Sequence, residues 1–264
     1  MASANQARRR RALVTGASEG IGRELATVFA ANQFDLVLLA RNRDRLHELA
    51  VELKTAHGID AAIAPADLSE PAAPQAVFDS MREQGFVIDV LVNNAGLLFE
   101  GEFKEIAADD HLRLLQLNVV AVTALTRLFV GDMVGRGGGR VLNVASVAAF
   151  MPIPRLAVYA ASKAYVLSFS EALSEELKGT GVTVTALCPG VTSTAMVGGT
   201  DLSRLPSMMI MDAPAVAREG YTACMAGKAV HVAGPANDIA VQWIKYQPDW
   251  LVRSVGGMLA RMRR

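Results

Sequence analysis

Ala12-Leu13-Val14-Thr15-Gly16-Ala17-Ser18-Glu19-Gly20-Ile21-Gly22 is the stretch on which the fold turns. The first four residues read as a short buried strand, the glycines as a turn, and residues 23–32 as a helix. In that order they form a mould for a pyrophosphate, because the N–H groups and dipole at a helix start attract anions. Gly16 permits the tight turn, Gly20 lets the backbone approach a ligand, and Gly22 lets helix and sheet pack closely. Ser18, Glu19 and Ile21 complete the cradle. The spacing Gly-x-x-x-Gly-x-Gly differs from the dinucleotide fingerprint Gly-x-Gly-x-x-Gly, so the glycines alone leave a plain structural turn open.

Downstream, Leu36-Val37-Leu38-Leu39-Ala40 is a continuous apolar run, as in a strand covered on both faces. It ends in Arg41-Asn42-Arg43. Where the second strand of a dinucleotide fold meets the adenosine ribose, an acidic residue would bind the 2′-hydroxyl of NAD. Here Arg41 and Arg43 suit a 2′-phosphate instead, which predicts NADP(H) over NAD(H). A surface charge pairing with Asp44 and Glu48 is the alternative.

Strand and helix then alternate to the end. Helices are expected at 45–57 and 69–84, strands at 59–63 and 90–92, and a long helix from about 108 to 134. Strands follow at 139–146, 182–187 and 229–232, with a helix at 159–178 between the first two. This order predicts an α/β fold: a single-domain, doubly wound parallel sheet, Rossmann-like, of about seven strands with helices on both faces. Residues 11–246 form that domain, with a basic disordered arm at 1–10. A substrate lid lies at 190–215 and a basic amphipathic extension at 247–264.

The chain has 264 residues, 52% of them hydrophobic, and 26 basic against 26 acidic side chains, so no net charge draws it to nucleic acid. Two cysteines, Cys188 and Cys224, make neither a disulfide framework nor a metal cluster, and a reducing, cytoplasmic location is expected. No unbroken apolar run suggests a membrane span or a secretory signal. Arg8 to Arg11 read as a solvated arm. In the C-terminal extension Gly256-Gly257 is expected to interrupt the helix, and packing against the body or a second subunit is favoured over an anionic membrane surface.

Tyr159-Ala160-Ala161-Ser162-Lys163 adds chemistry. Residues four apart share a helix face, so phenol and ammonium project into the same space. A neighbouring cation lowers the phenol's pKa from its usual value near 10 and makes it a proton donor near neutral pH. Such a pair is common by chance and gains meaning only from company.

With these pieces in place, the chain resembles the classical short-chain dehydrogenase/reductase family over residues 11–232. The resemblance is carried by Thr15-Gly16-x-x-x-Gly20-x-Gly22, Asp67-Leu68, Asn93-Asn94-Ala95-Gly96, Asn118, Ser146, Tyr159-x-x-x-Lys163 and Pro189-Gly190. It implies that Asn118, Ser146, Tyr159 and Lys163 are a catalytic tetrad and that Asp67 and Leu68 flank the adenine. It also implies that Asn94, Ala95 and Gly96 support the cofactor, and that Pro189, Gly190, Val191, Thr192 and Thr194 line its nicotinamide end. Glu19 departs from the pattern, standing where NADP-preferring members often carry a basic residue.

Hydride transfer belongs to the nicotinamide, so the protein must position a carbonyl and manage one proton. Ser146 would donate a hydrogen bond to the carbonyl oxygen, Tyr159 would protonate it, and Asn118 would hold a water feeding Lys163. Leu98, Val147, Ala148, Phe150, Ile153 and Met196 are the expected substrate contacts, on segments beyond the carboxyl ends of the strands. With no Arg or Lys at 147–154, an apolar ketone, aldehyde, 3-oxoacyl or steroid-like substrate is expected. The alternatives are an NAD-dependent alcohol dehydrogenase working toward oxidation and a catalytically silent nucleotide sensor. A homodimer or homotetramer is expected, built on Leu112, Leu115, Val119, Val122 and Leu125 of the long helix and Val166, Phe169, Leu173 and Leu177 of the next.

Overall fold

The computed structural model describes residues 8–192 and 210–262. Seven parallel strands form the central sheet: β1 (Arg11–Thr15), β2 (Asp35–Ala40), β3 (Ala61–Pro65), β4 (Val90–Asn93), β5 (Gly139–Val144), β6 (Val182–Cys188) and β9 (Val230–Val232). Their spatial order is β3-β2-β1-β4-β5-β6-β9. The order reverses beside β1, between β1 and β4, which opens a crevice at the carboxyl ends of those strands. Two short strands, β7 (Val191–Thr192) and β8 (Ile210–Met211), pair in parallel.

Each central strand feeds two cores, because alternate side chains leave opposite faces of a pleated sheet. Ala12 and Val14 of β1 join the core under α1 (Gly20–Ala31) and α2 (Arg43–His57), whereas Leu13 joins the opposite one. Leu36 and Leu38 divide from Val37 and Leu39 in the same way. The second core is roofed by α3 (Ala73–Glu83) and by the long helix formed from α4 (Ala108–Leu115), a π-helical turn (Gln116–Ala121) and α5 (Val122–Gly135). That helix, 108–135, is long and apolar enough by length and composition to cross a membrane. Here its inner face, with Leu125, Phe129 and Met133, is buried on the sheet.

The remaining helices are α6 (Ala157–Glu176), α7 (Ala213–Met225), α8 (Pro235–Lys245) and α9 (Asp249–Met262). Three expectations need correction. Arg8 to Arg11 do not form a free arm: although Arg8, Arg9 and Arg10 stay exposed, Arg8 bonds both oxygens of Asp89 at 2.8 and 2.9 Å, and Arg9 bonds the Gly58 carbonyl at 2.6 Å. Arg10 and Arg11 lie over the rings of Phe34 and Phe86. Carboxylates and aromatic faces at the amino edge of the sheet recruit the guanidinium groups. Second, Gly256-Gly257 does not break α9, which runs through both residues. Third, Val122, Leu125, Val166 and Leu177 are buried within the subunit, while Leu112, Leu115, Val120, Val134 and Tyr165 are the large apolar side chains that the two long helices expose.

Candidate active site

The glycine turn is built around Thr15. The Thr15 hydroxyl donates to the Val92 carbonyl at 3.1 Å and accepts the N–H groups of Asn94 and Ala95, each at 2.9 Å. The Asn94 amide returns hydrogen bonds to the carbonyls of Thr15 and Gly16 at 2.9 and 3.3 Å. Gly16 has φ +65°, and a Cβ there would lie 2.8 Å from the Asn94 nitrogen; on Gly22 it would lie 2.2 Å from the Gly16 oxygen. Both positions therefore demand glycine. Helix α1 starts without a side-chain cap, so its first N–H groups face the crevice for an anion.

At the adenosine end, Glu19 pairs with Arg45 at 2.7 Å. Arg41 and Arg113 each approach Asp67 to 3.9 Å. Burial works to raise the Asp67 pKa, but hydrogen bonds from the Ser69 hydroxyl and N–H, with Arg41 and Arg113 adding to them, carry it below its ordinary value. Arg41, Asn42, Arg45, Asp67, Leu68 and Arg113 line the cavity; Arg43 does not. Helix α2 begins at Arg43 with Asn42 as its cap, and residues two apart on a helix face opposite sides. Arg45, not Arg43, joins Arg41 at the crevice.

Ser146 follows β5 and caps a 3₁₀ turn (Val147–Phe150), its Oγ accepting the Ala148 N–H at 3.1 Å. That bond uses a lone pair and leaves the hydroxyl proton to be donated. Tyr159 and Lys163 lie one turn apart on α6 and line the same cavity as Ser146 and Gly16. The Lys163 ammonium sits 5.8 Å from the centre of the Tyr159 ring and donates to the Val144 carbonyl at 2.8 Å. Burial pushes its pKa from 10.5 down to about 8.

Asn118 lies on the π-helical turn, a distortion common at functional positions. It is buried beneath the cavity rather than lining it. Its amide accepts the Leu97 N–H at 2.8 Å, and donates to the Leu97 carbonyl at 2.9 Å and the Ser162 hydroxyl at 3.1 Å. Ser162 in turn donates to the Tyr159 carbonyl at 2.7 Å. A Cβ on Gly96 would lie 3.3 Å from the Asn118 oxygen and 3.6 Å from the Lys163 nitrogen. Asn118 thus ties the segment after β4, at Leu97, to the start of α6.

The cavity, about 840 Å³, runs from Arg45 to α8. Ser18, Gly20 and Ile21 line it at the glycine turn, and Ala95, Gly96, Pro189, Gly190, Val191 and Thr192 further along. Of the expected substrate contacts, Leu98, Val147, Ala148 and Ile153 are on its wall. Phe150 is not: it packs against a further buried cluster that includes Val122, Val166 and Val241, with the Lys245 ammonium 5.1 Å from its ring centre. Thr194 and Met196 lie outside the described residues. Sequence reading missed Leu156 and the α8 residues Asn237, Ala240, Val241, Trp243 and Ile244. Gly234 before Pro235, with apolar residues spaced along 239–244, was the available helix signal.

A sequence profile of the short chain dehydrogenase family matches residues 10–204. The chain belongs to that family. This dehydrogenase is therefore an oxidoreductase that uses a nicotinamide cofactor on CH–OH and C=O groups. It is 31% identical over 245 residues to the very-long-chain 3-oxoacyl-CoA reductase of Rattus norvegicus, covering 89% of this chain and 77% of the relative. A short-chain dehydrogenase from Sphingobium yanoikuyae, solved in complex with NADPH, is 35% identical with a TM-score of 0.80, covering 89% of this chain and 91% of that one. The bulky-bulky ketone specific alcohol dehydrogenase of Comamonas testosteroni is 30% identical with a TM-score of 0.78, covering 89% and 90%.

The residues present fit such a cofactor. The Gly16 and Gly22 positions, which a side chain would obstruct, and the uncapped start of α1 suit the pyrophosphate. Arg41 and Arg45 stand at the adenosine end, and Gly190 and Thr192 beside Ser146.

Proposed function

We propose that the protein reduces the carbonyl of a largely apolar substrate, a ketone, aldehyde, 3-oxoacyl or steroid-like compound, with NADPH in preference to NADH and with Tyr159 as proton donor. The observation that carries this reading is the common cavity on which Ser146, Tyr159 and Lys163 meet the glycine turn at one end and apolar side chains at the other. A bound nicotinamide supplies the hydride. Ser146, its lone pair already engaged by Ala148, directs its proton at the carbonyl oxygen and stabilises developing negative charge. Tyr159 delivers its proton to that oxygen, and the Lys163 cation favours the phenolate left behind.

The preference for NADPH rests on Arg41 at the end of β2, and on Arg45 neutralising the Glu19 carboxylate that would otherwise repel a 2′-phosphate. The NADPH bound to the Sphingobium enzyme, the 3-oxoacyl-CoA specificity of the rat reductase and the bulky ketones of the Comamonas enzyme are in keeping with this reading. Self-association through the exposed Leu112, Leu115, Val120 and Tyr165 into a homodimer or homotetramer belongs to the same reading.

The test is a panel of ketones, aldehydes and 3-oxoacyl thioesters with each cofactor, on the wild type and Tyr159→Phe. The variant should bind NADPH normally and lose turnover by about 10²–10⁴-fold. Undiminished turnover in Tyr159→Phe would remove the phenol from the mechanism.

A further inference from the structure

Both tryptophans of the chain, Trp243 and Trp250, lie in its last 22 residues, and one of them reaches the cavity. Beyond Ser146 the cavity is walled by Leu98, Met151 and Ile153 on one side and by Ala240, Trp243 and Ile244 of α8 on the other. None of these side chains carries a charge. Helix α8 packs on the 3₁₀ turn that follows Ser146, so its position relative to the reacting centre is set through that turn.

Helix α9 adds a second hold. A Cβ built on Gly256 would lie 2.1 Å from the Pro152 carbonyl oxygen, a backbone atom that cannot swing aside, whereas nothing lies within 4 Å of one on Gly257. Pro152 stands between Met151 and Ile153, both on the cavity wall. The same loop is held on its other flank, where the Gly101 N–H donates to the Arg155 carbonyl at 3.0 Å.

We propose that α8 and the Met151 to Arg155 loop, seated by α9, together form the fixed wall of the substrate site. Trp243 and Ile244 set which apolar carbonyl compounds are accepted, and Gly256 is a positioning residue that seats α9 on Pro152 and holds the Met151 to Arg155 loop against the reacting centre. The ligand class is a carbonyl compound with an extended or bulky hydrocarbon portion, since this wall offers surface and no counter-charge. The substrate part of this inference rests on the carbonyl-reductase reading; the wall itself does not.

The experiment compares full-length wild type with Trp243→Ala, Trp243→Phe, Gly256→Ala and Gly257→Ala. Each is titrated with NADPH, then with a dansylated undecanoic acid in the presence of NADP⁺, and assayed on a small ketone and a long-chain 3-oxoacyl thioester. Trp243→Ala and Gly256→Ala should weaken the dansyl probe, and raise KM for the long substrate, by about tenfold or more. Their NADPH affinity should stay within about twofold, and KM for the small ketone should rise less than KM for the long substrate. Trp243→Phe should restore most of the loss, and Gly257→Ala, with the same change in helix propensity, should match wild type.

Equal losses for Gly256→Ala and Gly257→Ala would overturn the seating of α9. An unchanged probe affinity in both Trp243→Ala and Gly256→Ala would overturn the wall. Should the wild type reduce neither substrate, probe binding still decides: a loss in these two variants upholds the wall while the reaction reading falls.

Discussion

The ammonium of Lys163 is buried 2.8 Å from the carbonyl oxygen of Val144, at the end of the strand that leads into Ser146. Among the described residues no carboxylate pairs with it. A backbone dipole is a poor substitute for water around a full charge, which is why burial draws the pKa down.

Folding therefore holds the Lys163 proton less tightly than the unfolded chain does, about 8 against 10.5. Between those values the unfolded state binds the extra proton, so this group's contribution to stability rises with pH across the window. Below it both states are charged and the cost of burial is present in full. In thermal unfolding of the ligand-free protein, wild type should gain on Lys163→Met as pH rises from about 8 toward 10.5. A gap that stays constant from pH 7 upward would show that the ammonium is not being desolvated.

Arg41 and Arg45 do different work in the cofactor end of the cavity. Arg41→Ala should weaken NADPH by about 10–100-fold, the range of one charge-assisted hydrogen bond, and NADH by far less. Arg45→Ala leaves the Glu19 carboxylate without its partner, so NADPH should weaken more at low salt than at high salt. Fluorescence titration with both cofactors at two ionic strengths separates these effects. Equal weakening of NADPH and NADH by Arg41→Ala would assign it to the adenosine or the fold rather than to the phosphate.

Asn118 satisfies both backbone groups of Leu97 and the Ser162 hydroxyl from inside the protein. Asn118→Leu keeps the volume and orphans those groups, at a cost of about 3 kcal/mol. Urea unfolding should show a lower midpoint with an unchanged slope. A loss of activity without loss of stability would instead point to a role confined to proton supply.

The sequence alone determined the order of strands and helices, the glycine turn, and the spacing of Tyr159 and Lys163, because these are local: a period of two or 3.6, or a turn that only glycine can make. The pairing of β1 with β4 was not part of that reading and came from the tertiary structure. Tertiary structure decided what depends on distance through space. Arg43 and Arg45 look alike in the chain, and only the start of α2 turns one away from the crevice and brings the other to Glu19. Four basic residues at 8–11 read as a solvated arm until Asp89, Gly58, Phe34 and Phe86 are brought against them. Gly256 reads as a helix breaker until the Pro152 carbonyl stands where its side chain would be. Such contacts join residues far apart in sequence, and they exist only once the sheet has fixed where each segment ends.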